Sequence, residues 1–540
     1  MKKLQRCALA LLLVLCLLLS GCSTQLQSVL ETFYSNQQIY GFSQMQYSRP
    51  DPERLEKLLE EACLAADGTD TAAALDAIFA YYDYYDEFDT NASYAFIRYC
   101  QDLTDSYWQE ENRFCTDGLV QLETSLDTLY THIAQSSLRE ALEEEYFGED
   151  FFAYYDENEA WDEAMTALLE EEAALLDQYY SLSQEADPLW NDPQAYYDNY
   201  YNSFMDLLVR LIALRQKIAA EAGYQSCADF CFDYYHGRSY SPAQAALYLQ
   251  EISQYITPLY RQLAGDPVWE TPACSTLETF LYVKAAAGAM GGTPAKAFRT
   301  LQAKDLYDIA PGENKYPGAF ETYLWSYSAP FVYVDPYMDQ TDKLAFAHEF
   351  GHFINDFACG GSYAGTDVAE VHSQAFEYLS LCYTENSDAL TRYKLAESVS
   401  IYAEQAAYAL FELQAYALEG EDLTPENVGR IYGDIGAQFG FDSYEWDVRD
   451  LVLVPHFFTD PMYVLSYVVS NDLAMQIYEL EVSQPGTGAA LYERCISAEQ
   501  ADIDTFTEEY ALTAPLAEGR LPAVASFLKK ALFPAQQQAA

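Results

Sequence analysis

The chain has 540 residues, more than the roughly 250–300 residues that one hydrophobic core usually organises, so we expect at least two domains. Half of the residues are hydrophobic and 21% are charged, a balance typical of a folded protein and not of a disordered one. The 84 acidic residues far exceed the 28 basic ones and give a net charge of −56, which repels phosphate backbones and excludes nucleic-acid binding.

Residues 1–21 have the features of a leader for export. Lys2, Lys3 and Arg6 precede an apolar run from residue 8 to residue 19, which is too short for a membrane span of about 20 residues but suits a signal-peptide core. The sequence Leu-Ser-Gly-Cys that ends at Cys22 resembles a bacterial lipobox, in which the cysteine is lipidated. We therefore expect a lipid anchor on Cys22 as the sole membrane contact, on the extracytoplasmic face of a bacterial membrane. The alternative is ordinary cleavage with Cys22 incidental.

Apolar residues recur every three or four positions through most of the remaining chain, which predicts a mainly helical fold. The clearest segments are 52–66, 118–146, 160–185, 201–222, 243–263 and 390–418. Residues 22–199 form an acidic, tyrosine-rich N-terminal region, which we interpret as helices with solvated acidic faces. A calcium loop near Asp83, Asp86 and Asp89 is disfavoured because the glycine and the final glutamate of an EF-hand loop are missing.

Two local features need separate interpretation. Nine cysteines follow Cys22 at scattered spacings, which indicates no disulfide framework, and we interpret Cys227 and Cys231 as buried hydrophobic residues of one helical face. The β-branched and aromatic run 330–334 predicts a strand, and we expect it to bind extended peptide by pairing at a sheet edge.

Residues 341–359 predict a helix, with Thr341 or Asp339 as its cap and two glycines as its stop. His348 and His352 are four residues apart, so both imidazoles leave the same face and can occupy two corners of a zinc tetrahedron. Glu349 projects beside them, where a carboxylate can take a proton from water. The chain has six histidines in all, so this spacing is improbable by chance, and a metal site is favoured over two surface histidines.

Catalytic zinc normally takes three protein ligands and leaves one position open. A second helix, predicted to begin at Thr366, offers Glu370, His372 and Glu377 as the third ligand. Glu370 lies in the first turn, His372 points about 200° around the helix from it, and Glu377 lies two turns further on nearly the same face. Spacing favours Glu370 and leaves the other two open. A carboxylate that orients one of the histidines could come from Asp367 or Glu377.

The run Ala-His-Glu-Phe-Gly-His at 347–352, followed by residues 365–374, resembles the M3 peptidase family, which includes thimet oligopeptidase and oligoendopeptidase F. The likeness extends over roughly residues 200–510, with the motifs in the same order at 214–219, 223–224, 312–320, 330–334, 455–458 and 461–467. The third ligand of that family is the glutamate of a V-E-x-x-S or A-E-V-x-S segment, which is Glu370 here. His372 departs from the family pattern, and the spacing of the tyrosines varies between its subgroups.

The resemblance implies a zincin-type, mainly α fold: a two-lobed helical bowl around a deep channel, with a small β-sheet next to the active-site helix. It makes residues 200–540 the catalytic domain and places one zinc ion per chain on His348, His352 and Glu370. Glu349 would act as the general base on the water that zinc activates. The family's late histidine and tyrosine segment supplies donors to the oxyanion of the intermediate: His456, Tyr463 and Tyr467. Without the resemblance, these three would be interpreted as core packing.

We therefore expect a zinc-dependent metalloendopeptidase that hydrolyses short peptides of roughly 5–20 residues, a range implied by the family and by access through a channel. One alternative is a zinc carboxypeptidase. The other is a lipid-anchored peptide-binding protein without catalysis, but such a protein would have no use for His348, Glu349, His352 and Glu370 together.

Overall fold

The computed structural model describes residues 39–534 except 149, 154, 156–162, 187–188, 190–191, 362–364, 442–445 and 498–501. The predicted signal peptide and Cys22 lie outside these residues. Among the described residues, no helix combines the length and the apolar character that crossing a bilayer requires.

The N-terminal part is entirely helical where it is described. Asp51 caps the first helix by accepting hydrogen bonds from the backbone of Glu53 and Arg54, and Asp70 caps the second in the same way. The helices are α1 (Pro52–Ala66), α2 (Thr71–Gln101), α3 (Ser106–Gln135), α4 (Arg139–Leu142), α5 (Glu163–Ala186) and α6 (Pro193–Glu221). Asp83, Asp86 and Asp89 lie on α2, so they form no calcium loop.

Helices also dominate the rest of the chain, which confirms the mainly α prediction. Before the sheet come α7 (Cys227–Phe230), α8 (Pro242–Tyr255), α9 (Thr257–Leu263), α10 (Thr276–Met290) and α11 (Gly292–Lys304). After it come α12 (Asp342–Cys359), α13 (Thr366–Cys382), α14 (Asp388–Ala415), α15 (Pro425–Phe439), α16 (His456–Thr459), α17 (Leu465–Ser483), α18 (Thr487–Cys495), α19 (Ile503–Tyr510) and α20 (Arg520–Leu532). Each predicted helical segment coincides with one or two of these helices.

A three-stranded sheet lies beside α12 in the described part of the chain. Its strands are β1 (Tyr307–Asp308), β2 (Ala319–Leu324) and β3 (Ala329–Val334), in the order β1-β3-β2. The predicted strand is therefore present, but the expectation that it lies at an edge is wrong, because β3 is the central strand and is buried along its whole length. Its second neighbour, β1, has only two residues and leaves no periodic signal in the sequence. The two edges of the sheet belong to β1 and β2.

Two hydrophobic cores divide the molecule. The smaller one is formed by α1, α3, α4 and the first half of α2, with Tyr81 and Phe88 at its centre. The larger one extends through the rest of the described chain and includes Tyr94, Ile97 and Cys100 from the second half of α2. One continuous helix thus belongs to both cores. The boundary that the composition suggests at residue 200 lies inside α6, so packing divides the chain at a different point.

Candidate metal centre

Helix α12 carries the two histidines of the predicted zinc motif. It begins at Asp342, whose carboxylate accepts hydrogen bonds from the backbone of Tyr337 and Met338 at 2.9 Å each, and it ends at Gly360, whose φ of 73° stops the helix. The apolar face of α12 is fully buried in the larger core. His348 and His352 lie on the opposite, partly exposed face, with their ring centroids 5.0 Å apart.

A glycine lets the second ligand-bearing helix come close. A Cβ atom on Gly351 would lie 2.5 Å from the Cα atom of Ser373, a distance that no side chain tolerates. The backbones of α12 and α13 can therefore approach each other at this point only because residue 351 is glycine. The contact brings Glu370 opposite the two histidines, as the spacing predicts.

Three possible ligand atoms converge between α12 and α13. Glu370 Oε2 lies 3.3 Å from His348 Nε2 and 3.8 Å from His352 Nε2, and the ligand atoms of the three residues all lie within 4.8 Å of one another. Glu370 is 3% exposed, so its carboxylate is shielded from solvent. Two neutral imidazoles and one carboxylate are the donor set of many catalytic zinc sites, in which a fourth position stays open. These residues therefore fit a divalent metal such as zinc.

Glu377 orients one of the two imidazoles. Its Oε1 atom lies 2.7 Å from His348 Nδ1, and because a carboxylate only accepts, Nδ1 donates to it and Nε2 is the atom available to a metal once its own proton is displaced. Lys394 Nζ donates to the other oxygen of Glu377 and to Glu397 Oε2. Of the two carboxylates considered from sequence, Glu377 thus contacts the histidine. Asp367 instead accepts the hydroxyls of Ser466 and Tyr240.

His372, the other rival for the third ligand, lies away from the cluster. It is fully buried, and its Nε2 atom lies 2.9 Å from the carbonyl oxygen of Cys495. Burial lowers the pKa of His372 to about 4, so the ring is neutral and Nε2 donates to that carbonyl. The residue thus fastens α13 to the end of α18.

Burial and mutual contact set the protonation of the site. Burial opposes charge on both Glu370 and His348, but their contact lowers the pKa of Glu370 to about 2 and raises that of His348 well above its usual range. Burial lowers the pKa of His352 to about 4. Burial also raises the pKa of Glu349 to about 7, which is the range in which a carboxylate can both take and return a proton at neutral pH.

The late histidine and tyrosines lie between the start of α16 and the first turn of α17, close to Glu370. Tyr463 donates its hydroxyl hydrogen to Glu370 Oε1 at 3.0 Å, and its ring stacks on His456 with centroids 4.8 Å apart. The hydroxyl of Tyr467 lies 3.4 Å from His456 Nε2. Burial raises the pKa of both phenols well above 10, so both stay protonated and can donate.

Three buried polar side chains hold the backbone of this segment, and sequence reasoning missed all three roles. Arg215 donates to the carbonyl of Phe458 at 2.6 Å, His236 Nε2 lies 2.8 Å from the carbonyl of Pro461, and Glu412 accepts the backbone N–H of Met462 at 2.8 Å. Their only sequence signal is a charged or polar residue within an apolar helical stretch, as Arg215 is in α6.

A cavity of about 750 Å³ opens beside the cluster. It reaches Tyr463 and Thr366, the first residue of α13, and it is bounded on its other sides by α3 and α5. Its size is within the range of small-molecule and peptide sites. The cavity is therefore separated from the three converging ligand atoms by Tyr463, which lines the cavity and contacts Glu370.

Comparison with known proteins agrees with this geometry. Residues 42–161 match the family model of the Peptidase M3 N-terminal domain, and no curated protein matches the sequence. The fold is similar to that of PZ peptidase A bound to an inhibitor, with a TM-score of 0.77 and 17% identity over 92% of this chain and 100% of that one. Two structures described as candidate oligoendopeptidases F are also similar.

The first of these, determined at 3.1 Å, has a TM-score of 0.78 and 18% identity over 93% of this chain and 100% of that one. The second, from Bacillus anthracis strain Ames, has a TM-score of 0.76 and 18% identity over 93% of this chain and 99% of that one. The fold is therefore similar to that of these peptidases. The N-terminal family model and this fold together confirm the resemblance to M3 metallopeptidases of the oligoendopeptidase F kind.

Proposed function

We propose that the protein is a zinc-dependent endopeptidase for short peptides. The observation that supports this most directly is the convergence of His348, His352 and Glu370 beside Glu349, with Tyr463 lying between Glu370 and a cavity. Zinc bound by these three side chains would supply Lewis acidity, which makes a water molecule more acidic and a carbonyl carbon more electrophilic.

The chain's own groups would carry the proton. A carboxylate oxygen of Glu349 takes a proton from the attacking water and later passes it to the nitrogen of the departing amine. Glu349 follows His348 directly on α12, is buried, and is close enough to His348 and Glu370 for their charges to affect its pKa. The burial that raises its pKa to about 7 matches this double role.

His456 and Tyr467 would stabilise the oxyanion that forms during attack. Such donors stabilise the transition state by several kcal/mol when they are preorganised and shielded from water. The reason is that they already point at the oxygen on which negative charge develops. Tyr463 donates to a metal ligand in this structure, so we assign it first to holding Glu370. Arg215, His236 and Glu412 keep the donor-bearing segment in place through its backbone.

The decisive experiment is mass spectrometry of peptide digests with and without a chelator, using matched peptides with free and blocked C-termini. An endopeptidase cleaves both sets at internal bonds, whereas a carboxypeptidase cleaves the free set alone. A peptide-binding protein without catalysis retains peptides and cleaves neither. Failure to cleave either set with stoichiometric metal bound would refute the proposed activity.

We also propose that the protein is anchored by lipid on Cys22 at the extracytoplasmic face of the membrane. The support is the order of features in residues 1–22: basic residues, a short apolar run and the lipobox-like sequence. Fractionation of cells that express the native protein or Cys22→Ser tests it. We expect the native protein with membranes and the variant in the soluble fraction.

A further inference from the structure

The cavity beside Tyr463 is built from two helix faces that approach each other. Residues at helical spacing on α3 line one side and residues at the same spacing on α5 line the other: Thr124, Asp127 and Thr131, then Leu169, Ala173 and Leu176. A peptide whose scissile bond lies at the metal ligands would extend past Tyr463 into this space. The side chains of the cavity therefore select among peptides.

The walls of the cavity carry uncompensated negative charge. Asp127 is an exposed side chain that makes no ion pair or hydrogen bond with the residues that the structure describes, and partial burial raises its pKa. A carboxylate without a partner in a partly desolvated space is stabilised by any cation that enters. Asp460, at the end of the cavity near Tyr463, adds a second acidic side chain, which accepts the hydroxyl of Thr459 and lies 3.6 Å from His456 Nδ1.

The basic residue of the cavity wall does not offset this charge. Arg215 Nε donates to Glu172 Oε1 at 2.6 Å, and the other nitrogens of the guanidinium donate to the hydroxyl of Tyr416 and the carbonyl of Phe458. Arg215 is 2% exposed, so it is neutralised by Glu172 and hardly reaches the cavity. Helix α5 contains no lysine or arginine, and α3 contains one, Arg113, which is not among the lining residues.

Two aromatic rings complete a surface that suits a cation. Tyr234 and Tyr235 line the cavity and are 37% and 36% exposed, which is unusual for tyrosines next to a buried cluster. The face of a phenol ring attracts a guanidinium or an ammonium group, and the alkyl stem of a long basic side chain covers apolar surface such as Leu169 and Leu176.

We propose that this cavity binds a lysine or arginine side chain of the peptide substrate and that Asp127 is the residue that determines this specificity. The inference rests on the proposed peptidase function and adds the class of peptide. A partly desolvated ion pair of this kind corresponds to a preference of about tenfold over a neutral side chain of similar size. Peptides with a glutamate at the same position would be disfavoured.

The test uses a series of quenched fluorescent peptides that differ at one position at a time, with lysine, glutamine or glutamate at each position on both sides of the cleaved bond. We expect kcat/KM to be about tenfold higher for lysine than for glutamine at one or two positions. Asp127→Asn should bring that ratio close to one, and Asp127→Lys should favour glutamate. The matched control is Asp117→Asn, an exposed carboxylate ten residues earlier on α3 and outside the cavity.

A second readout separates this inference from the proposed activity. Fluorescence polarisation measures binding of the same peptides to Glu349→Gln, in which turnover is not needed. Suppose that the lysine, glutamine and glutamate peptides are cleaved at equal rates at every position, or bound with equal affinity. The specificity role of Asp127 is then refuted, whereas cleavage itself still supports the peptidase proposal. If no peptide is cleaved but the lysine peptides bind more tightly through Asp127, the specificity stands and the peptidase proposal is refuted.

Discussion

His348 Nδ1 lies 2.7 Å from Glu377 Oε1, and Lys394 Nζ holds the second oxygen of the same carboxylate. All three groups lie on α12, α13 and α14. The carboxylate is therefore held in one orientation, and it fixes the orientation of the imidazole in turn. The metal ligand is thus positioned by a residue 29 positions further along the chain and by a lysine on a third helix.

The first prediction concerns this contact. Glu377→Gln should weaken zinc binding about 10–100-fold, because a neutral amide oxygen is a weaker acceptor for the Nδ1 proton than a carboxylate. Competition with a chromophoric chelator measures the affinity directly. Glu397→Gln is the control, since Glu397 contacts Lys394 without contacting the histidine, and its affinity should change much less. Equal affinities for Glu377→Gln and the native protein would contradict this role.

The second prediction concerns the general base. Glu349→Gln should keep its zinc, because Glu349 is not among the converging ligand atoms, and should lose about 10²–10⁴-fold in kcat for lack of a proton acceptor. Metal content by mass spectrometry and turnover of a quenched peptide give the two values. Native turnover by this variant would mean that another group takes the proton.

The third prediction separates the two tyrosines. Tyr467→Phe should lower kcat by about 10²–10³-fold with zinc affinity unchanged, as expected for loss of one oxyanion donor. Tyr463→Phe should lower zinc affinity as well, because its hydroxyl donates to Glu370 at 3.0 Å. The pair of variants is its own control, and identical zinc affinities in the two would remove the distinction.

The fourth prediction concerns the helix contact at Gly351. Gly351→Ala should destabilise the fold by roughly 1–3 kcal/mol, because its methyl group would meet the backbone of Ser373, and should weaken zinc binding by moving Glu370 away. Gly433→Ala is the matched control: it lies within α15 with no atom near the added methyl group, so it should stabilise by about 0.5–1 kcal/mol. Thermal unfolding checks both.

The fifth prediction is a pH dependence of stability. Burial raises the pKa of Glu412 from 4.5 to about 8, so the folded chain favours the protonated acid. The contribution of Glu412 to the free energy of unfolding is therefore fully present below pH 4.5 and is lost as the pH rises to 8. Its size is of the order of a few kcal/mol. In denaturant titrations, the free energy of unfolding of Glu412→Gln should fall less between pH 5 and pH 8 than that of the native protein. An unchanged slope would show that Glu412 ionises normally.

The sequence is sufficient to predict the helices, because the spacing of apolar residues depends only on neighbours along the chain. It is also sufficient to predict the ligands on α12, because His348 and His352 are one helical turn apart. It leaves Glu370, His372 and Glu377 open without the family resemblance, since their order depends on how two helices pack. It wrongly predicts that β3 is an edge strand. The neighbour that makes β3 central is β1, which has only two residues and therefore leaves no periodic pattern in the sequence. It does not reveal Arg215 or Lys394, because polar contacts between distant segments have no pattern along the chain.

Helix α2 contributes its first half to the smaller core and its second half to the larger one. Neither half of the protein can therefore be expressed alone without exposing apolar surface. A fragment that ends at residue 161 would carry Tyr94, Ile97 and Cys100 uncovered, and the complementary fragment would lose the side chains that fill that space. Residues 42–161 match a family model of their own. Because the two cores share α2, however, a truncation or fusion at residue 161 would disrupt both of them.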